Sequence, residues 1–147
     1  MAKGVIFCFN RTIFDPGARG LTEECKKLLE DLKTRGYKLC LFGRTSDNRV
    51  KLICRLRLFE LFEKILFALD DKIKKHFRDC LVDMDLEANE VFVVGTRVDR
   101  EITVGKRMGM KTILFRSGRL TSRLPVNQSH VADFITFDIR DLINFLE

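Results

Sequence analysis

The sequence predicts a three-layer α/β fold, with a parallel sheet of about five to six strands covered by helices on both faces. Three observations predict it. Short apolar runs of strand length alternate with longer helical patterns along the whole chain. Most of these runs are apolar on both faces, as suits parallel strands enclosed between helical layers. The chain has 147 residues, 46% of them hydrophobic, which is about one domain's worth. That length buries roughly two-thirds of the unfolded surface without a disulfide or metal staple. No linker or repeat interrupts it, so residues 1–147 are expected to form a single domain.

The elements follow in order. Gly4 to Phe9 is a continuous apolar run and reads as a buried strand. Asp15-Pro16-Gly17 marks a turn. Thr22 can cap a helix with Cys25, Leu28, Leu29 and Leu32 on one face, which Gly36 ends. Tyr37 to Phe42 is the second strand, and Gly43-Arg44-Thr45-Ser46 the loop after it. Ser46 can cap a helix through Val50, Ile53 and Leu56. Ile65 to Ala68 is a third strand. A helix follows with Ile73, Phe77, Cys80, Leu81 and Met84 aligned. Val91 to Val94 is the fourth strand, ended by Gly95, and the next helix turns Ile102 and Met108 inward. Thr112 to Phe115 is the fifth strand, residues 117–130 a polar loop, and Phe134 to Thr136 a sixth. The last helix buries Ile139, Leu142, Ile143 and Leu146.

Composition excludes several classes. No apolar run reaches the roughly 18 residues that span a bilayer, and the N-terminus is too short and mixed for a signal peptide. The five cysteines include no CxxC pair and mostly sit among apolar residues. They fit neither a disulfide framework nor a zinc site, and suggest a reducing, cytoplasmic setting. His76 reads as a solvated or half-buried side chain, His130 as surface, and Phe59, Phe62 and Phe67 as packing residues. The acids Asp70, Asp71, Asp83 and Asp85 read as caps and surface charge.

The net charge of +6 is uneven. Residues 97–123 hold eight basic residues against Asp99 and Glu101, and residues 44–57 hold five against Asp47. Such a stripe suits a phosphate-rich partner or is a solvated face.

In folds of this class the chemistry sits at the carboxyl ends of the strands, near the point where strand order reverses. The residues there resemble a family. Val5-Ile6-Phe7-Cys8-Phe9-Asn10-Arg11-Thr12-Ile13-Phe14-Asp15 resembles the first motif of the haloacid dehalogenase (HAD) superfamily, an apolar strand ending in DxDxT. Val93-Val94-Gly95-Thr96-Arg97-Val98-Asp99-Arg100-Glu101-Ile102 resembles the fourth motif, usually VGD followed by further acids. Gly105 to Leu114 is similar to the helix and strand that follow in the family, and Ala132-Asp133-Phe134-Ile135 to a common ending. The resemblance covers nearly the whole chain and implies a Rossmann-like HAD fold. Only about ten residues separate Thr12 from the first helix, which leaves no room there for a cap domain, and the protein reads as capless.

The resemblance implies an aspartyl-phosphate mechanism. The first Asp attacks phosphorus, the second is acid and base, and Mg²⁺ is held by carboxylates. A hydroxyl residue after the second strand and a lysine before the fourth hold the phosphate. This chain departs from the pattern. Cys8 stands at the nucleophile position, Asn10 at the acid/base position and Thr96 at the leading fourth-motif acid. Thr12 and Asp99 fit, so the degenerate positions are Cys8, Asn10, Thr12, Thr96 and Asp99, with no catalytic residue expected among them. Asp99 and Glu101 are weak candidates for a metal. Cys8 lacks the CxxxxxR loop of cysteine phosphatases, because Phe14 stands six residues on.

Where carboxylates are lost, arginines stand. Arg11, Thr12, Arg44, Thr45, Ser46, Lys72 and Arg97 are the candidate anion-binding residues. Arg100, Lys106, Arg107, Arg116, Arg119 and Arg123 are nucleic-acid candidates. The expectation is a catalytically degenerate, non-enzymatic HAD-like protein. It would act as a binding or accessory subunit for RNA, a ribonucleoprotein or another phosphate-bearing or protein partner, off the membrane and without a cofactor. The alternative is a HAD-type phosphohydrolase with an altered active site, and only in that case is Mg²⁺ expected.

Overall fold

The computed structural model describes residues 3–8, 23–44, 58–68, 72–95, 98–115, 132–136 and 141–146. Six strands form one sheet: β1 (Gly4–Cys8), β2 (Lys38–Arg44), β3 (Lys64–Ala68), β4 (Val91–Gly95), β5 (Lys111–Phe115) and β6 (Phe134–Thr136). The helices among the described residues are α1 (Glu23–Thr34), α2 (Ile73–Met84), α3 (Thr103–Arg107) and α4 (Leu142–Leu146), and a π-helical turn over Val98–Ile102 leads into α3. The strand order is β3-β2-β1-β4-β5-β6. All five pairings are parallel, as the two-sided apolar runs predict.

β1 is central and buried along its whole length. Ile6 lies opposite Cys40 of β2 and Val93 of β4, and Phe7 opposite Leu41 and Val94. Successive side chains leave a strand on opposite faces, so two cores form. Val5, Phe7, Leu39, Leu41, Phe92 and Val94 meet Leu28, Leu29 and Leu32 of α1 and Leu142 and Leu146 of α4. On the other face Ile6, Cys8, Cys40, Phe42 and Val93 meet Ile73, Phe77, Cys80 and Met84 of α2. Each large side chain withdrawn this way contributes about 1.5–3 kcal/mol. Phe42 and Phe77 meet edge to face, with centroids 5.4 Å apart.

The helix ends follow their sequence signals. Gly36 has φ +90°, the left-handed turn that glycine adopts freely. There Gly36 N donates to Lys33 O and Tyr37 N to Leu32 O, both at 3.0 Å, closing α1. Asp85 (φ 55°) ends α2 in the same way, and Asp83 pairs with Lys64 at 2.9 Å; capping and surface charge thus explain these two acids. Lys38 Nζ donates to the Met84 carbonyl at 2.7 Å, and the Tyr37 hydroxyl donates to the Leu146 carbonyl.

Four expectations are corrected. β2 runs through Gly43 and Arg44 instead of ending at Phe42, because β3 offers them partners at Phe67 and Ala68. Phe59 is 53% exposed and not a packing residue, whereas Phe62 is buried. The helix expected after β4 is divided into the π turn and the five-residue α3. Ile102 is buried there as expected, but Met108 only half. Phe9, the turn at Asp15, the caps at Thr22 and Ser46, the helix through Val50, Ile53 and Leu56, Asp70, Asp71, the loop 117–130 and Ile139 lie outside the described residues. Among the described residues no helix is long and apolar enough to cross a membrane.

Edge strand β6 is pinned to β5 by one carboxylate. Asp133 Oδ2 accepts from Thr112 N at 2.8 Å and from Thr112 Oγ1 at 3.1 Å, and Asp133 N donates to Thr112 Oγ1 at 3.1 Å. Thr112 is fully buried, so removing its acceptor leaves a desolvated donor. Asp133→Ala is expected to lower unfolding free energy by about 1–3 kcal/mol in urea titration, and Asp133→Asn, which keeps an acceptor, by less.

Candidate active site at the carboxyl ends of β1 and β4

Strand order reverses between β1 and β4, which opens the crevice where ligands of such sheets bind. β1 ends there at Cys8, β4 at Gly95, β2 at Arg44 and β3 at Ala68. The π turn after β4 folds back over this edge, a placement such turns often take at functional sites.

Glu101 is the acidic group of the described edge. It is only 6% exposed, and it packs across the end of β4 in space left by Gly95. A Cβ on Gly95 would overlap the Glu101 Cγ and stand 2.8 Å from its Oε1. Cys8, 7% exposed, feels this carboxylate. Burial pushes the Cys8 thiol well above its ordinary 9.0 and the Glu101 charge pushes it further, while Arg100 pulls it back down. Cys8 is therefore a neutral thiol near neutral pH, the state opposite to that of a reactive cysteine.

Lys72 is exposed just before α2, on the connection that leaves the carboxyl end of β3, where its ammonium can face an anion at this edge. His76, one turn into α2, is half-buried as expected, its ring 5.9 Å from that of Phe42. The strand ends thus bring together Cys8, Glu101 and Arg100, with Lys72 flanking. Asn10, Arg11, Thr12, Thr45, Ser46, Thr96, Arg97, Arg116, Arg119 and Arg123 lie outside the described residues, as do the side chains of Arg44 and Asp99.

Among the described residues of the basic stretch, Arg100 and the pair Lys106 and Arg107 stand at different ends of the sheet. α3 starts at the carboxyl end of β4 and returns to the amino end of β5, so Lys106 and Arg107, in its last turn, lie at the opposite end of the sheet from Cys8. Lys106 Nζ is 4.0 Å from Asp133, and Lys111 lies 5.8 Å from the Phe92 ring centroid. A strand-helix-strand unit distributes its charges to both ends of the sheet, which the linear sequence hides.

Among the described residues no group of three or more His, Cys, Asp or Glu side chains could hold a metal ion. Mg²⁺ is a hard cation that takes oxygen ligands. Glu101 offers carboxylate oxygen and Cys8 a protonated sulfur, so these residues do not make up a Mg²⁺ donor set. The meeting of Glu101 with Cys8 escaped the sequence reading. The available signal was Gly95 with an acid six residues on, a spacing informative only once the π turn is known.

A parallel sheet of order 3-2-1-4-5-6, with a buried carboxylate at its switch point, defines a three-layer α/β protein with a strand-end site. Comparison with known proteins narrows the class. Residues 72–142 match the family described as HAD-hydrolase-like. A glyceraldehyde 3-phosphate phosphatase of Pyrococcus furiosus is 30% identical over 100% of this chain and 62% of its own length. The protein of that name from Pyrococcus abyssi is 32% identical over 71% of this chain and 43% of its own. A glycerol-3-phosphate phosphatase of Gallus gallus is 26% identical over 79% and 42%. The chain thus spans about half the length of these curated relatives. A HAD-superfamily hydrolase of Geobacter sulfurreducens superposes with TM-score 0.78 at 13% identity, over 99% of this chain and 100% of that one. A HAD-hydrolase of Bacillus subtilis, solved bound to magnesium, superposes with TM-score 0.71 at 16% identity, over 87% and 57%. The chain is thus similar to HAD-like hydrolases in sequence over residues 72–142 and in fold over nearly its whole length.

These relatives overturn the expectation of a non-enzymatic accessory or RNA-binding subunit, since those at 26–32% identity are named as phosphatases. An acid also remains at this edge. Losing carboxylates at positions 8 and 96 does not empty the edge of acid, because Glu101 is buried there beside Cys8.

The raised thiol has a consequence for stability. In the unfolded chain Cys8 ionises near 9.0, while in the folded chain it stays protonated. Above that pH the unfolded state binds fewer protons than the native state, so stability falls as pH rises. The limiting slope is about 1.4 kcal/mol per pH unit for one thiol. Urea midpoints from pH 8 to 10 are expected to fall, and to fall less in Cys8→Ala.

Proposed function

We propose that this chain is a HAD-type phosphohydrolase with an altered active site, hydrolysing the phosphate monoester of a small, three-carbon substrate such as glyceraldehyde 3-phosphate. The observation that carries this reading is the 30% identity, across all of this chain, with a protein named for that activity. The buried acid at the switch point supports it.

The reaction adds water across the P–O ester bond, giving the alcohol and inorganic phosphate. Attack by Cys8 would first require removing a proton from a thiol that burial and Glu101 both hold neutral. Water is therefore the acceptor. Glu101, beside the end of β1, takes its proton as the oxygen bonds to phosphorus, and passes that proton to the leaving oxygen as the P–O ester bond breaks. Lys72, at the start of α2, offsets the charge on the phosphoryl oxygens. The described residues do not make up a Mg²⁺ site, and no step here runs through one.

Release of inorganic phosphate from glyceraldehyde 3-phosphate, with and without Mg²⁺, tests the reading. Turnover is expected, with kcat lowered about 10²-fold or more in Glu101→Gln. KM should rise in Lys72→Ala, and Cys8→Ala should stay within a few-fold of the parent. Absence of phosphate release from this substrate and from glycerol 3-phosphate would refute the function. A phosphorylated Cys8 detected by intact mass would refute the role given to water.

A further inference from the structure

Three buried thiols, Cys8, Cys40 and Cys80, lie on the α2 side of the sheet and are free. The hydrolysis described above uses none of them. Cys40 stands mid-strand in β2, opposite Ile6 of β1. Cys80 belongs to the row Ile73, Phe77, Cys80 and Met84 that α2 buries against the sheet. Both are 0% exposed. Cys40 Sγ donates a weak hydrogen bond to the Cys80 carbonyl at 3.9 Å, so the β2 thiol lies against the residue that carries the α2 thiol. Two thiols buried in one core on neighbouring elements, one in contact with the residue that bears the other, have little distance to cover before bonding.

We infer that Cys40 and Cys80 are a latent redox pair, which a peroxide converts to an intrachain disulfide tying β2 to α2. One thiol loses its proton, and its sulfur attacks a peroxide oxygen. The O–O bond breaks, leaving a sulfenic acid and water. The second sulfur then attacks the first, and the hydroxyl group departs as water with the remaining proton. Two thiols and one hydrogen peroxide thus give one disulfide and two waters. Sulfur is oxidised and peroxide oxygen reduced.

Burial sets the timing. The hydrogen bond to Cys80 and desolvation push the Cys40 thiol far above its ordinary 9.0, so the closed core holds almost no thiolate. Oxidation must wait until α2 lifts from the sheet. The rate therefore levels off with peroxide concentration at the rate of helix opening, and low urea speeds it. Once made, the bond closes a loop between positions 40 apart, which stabilises the fold by restricting the unfolded chain. It holds down the helix that begins beside Lys72, whatever substrate the site takes.

The test is a peptide mass map of the full chain after hydrogen peroxide, with and without low urea, free thiols having been blocked. The expected product links the Cys40 and Cys80 peptides, forms faster in urea, and raises Tm by about 5 °C, a shift that dithiothreitol reverses. Cys40→Ala and Cys80→Ala should each abolish the link and the shift. Should either variant fail to fold, the map of the parent chain decides. A link involving Cys8, Cys25 or Cys54, sulfinic acid without a link, or thiols left unmodified in urea would each overturn the inference.

Discussion

The complete withdrawal of β1 from water is the constraint on which the rest of the structure depends. Gly4 to Cys8 is buried along its whole length, so every backbone N–H and C=O of the strand needs a partner inside the protein. β2 and β4 supply those partners, one on each side. Both faces of β1 carry apolar side chains, and each face therefore needs its own helical layer. From that one strand follow the parallel pairing, the two cores and the reversal of strand order beside it.

The reversal places the site. β1 and β4 run the same way, so their carboxyl ends stand side by side. Gly95 ends β4 without a side chain, and Glu101 occupies the space this leaves. The carboxylate is brought into the edge by close packing, and the same packing desolvates Cys8. Burial and this carboxylate together hold the Cys8 thiol protonated. Arg100 acts on the same thiol in the opposite sense.

The elements with strong periodicity were legible from sequence. The row Ile73, Phe77, Cys80 and Met84 is three to four residues apart and becomes the buried face of α2. The runs at Val5, Leu39 and Val91 become central strands, because nothing but a two-sided core accommodates them. Strand ends were less legible. Gly43 and Arg44 read as loop because of their composition, yet extend β2 once β3 lies beside them. Phe59 read as a packing residue and is largely exposed, since hydrophobicity says which residues can be buried and not which find a neighbour. The basic stretch read as one surface, although a strand-helix-strand unit sets its described members Arg100 and Lys106 at different ends of the sheet.

By itself the sequence determined the alternation of strands and helices, the parallel character of the sheet and the resemblance to HAD proteins. All of these rest on local pattern and on residue order, which chain neighbours carry. The tertiary structure decided which acid serves the edge, which charges share it and which thiols meet. Glu101 and Cys8 are far apart in the chain, as are Cys40 and Cys80. Their proximity comes from sheet order, from the π turn and from the packing of α2 on β2. Such contacts form only when distant segments bury a common surface, and no local pattern records them.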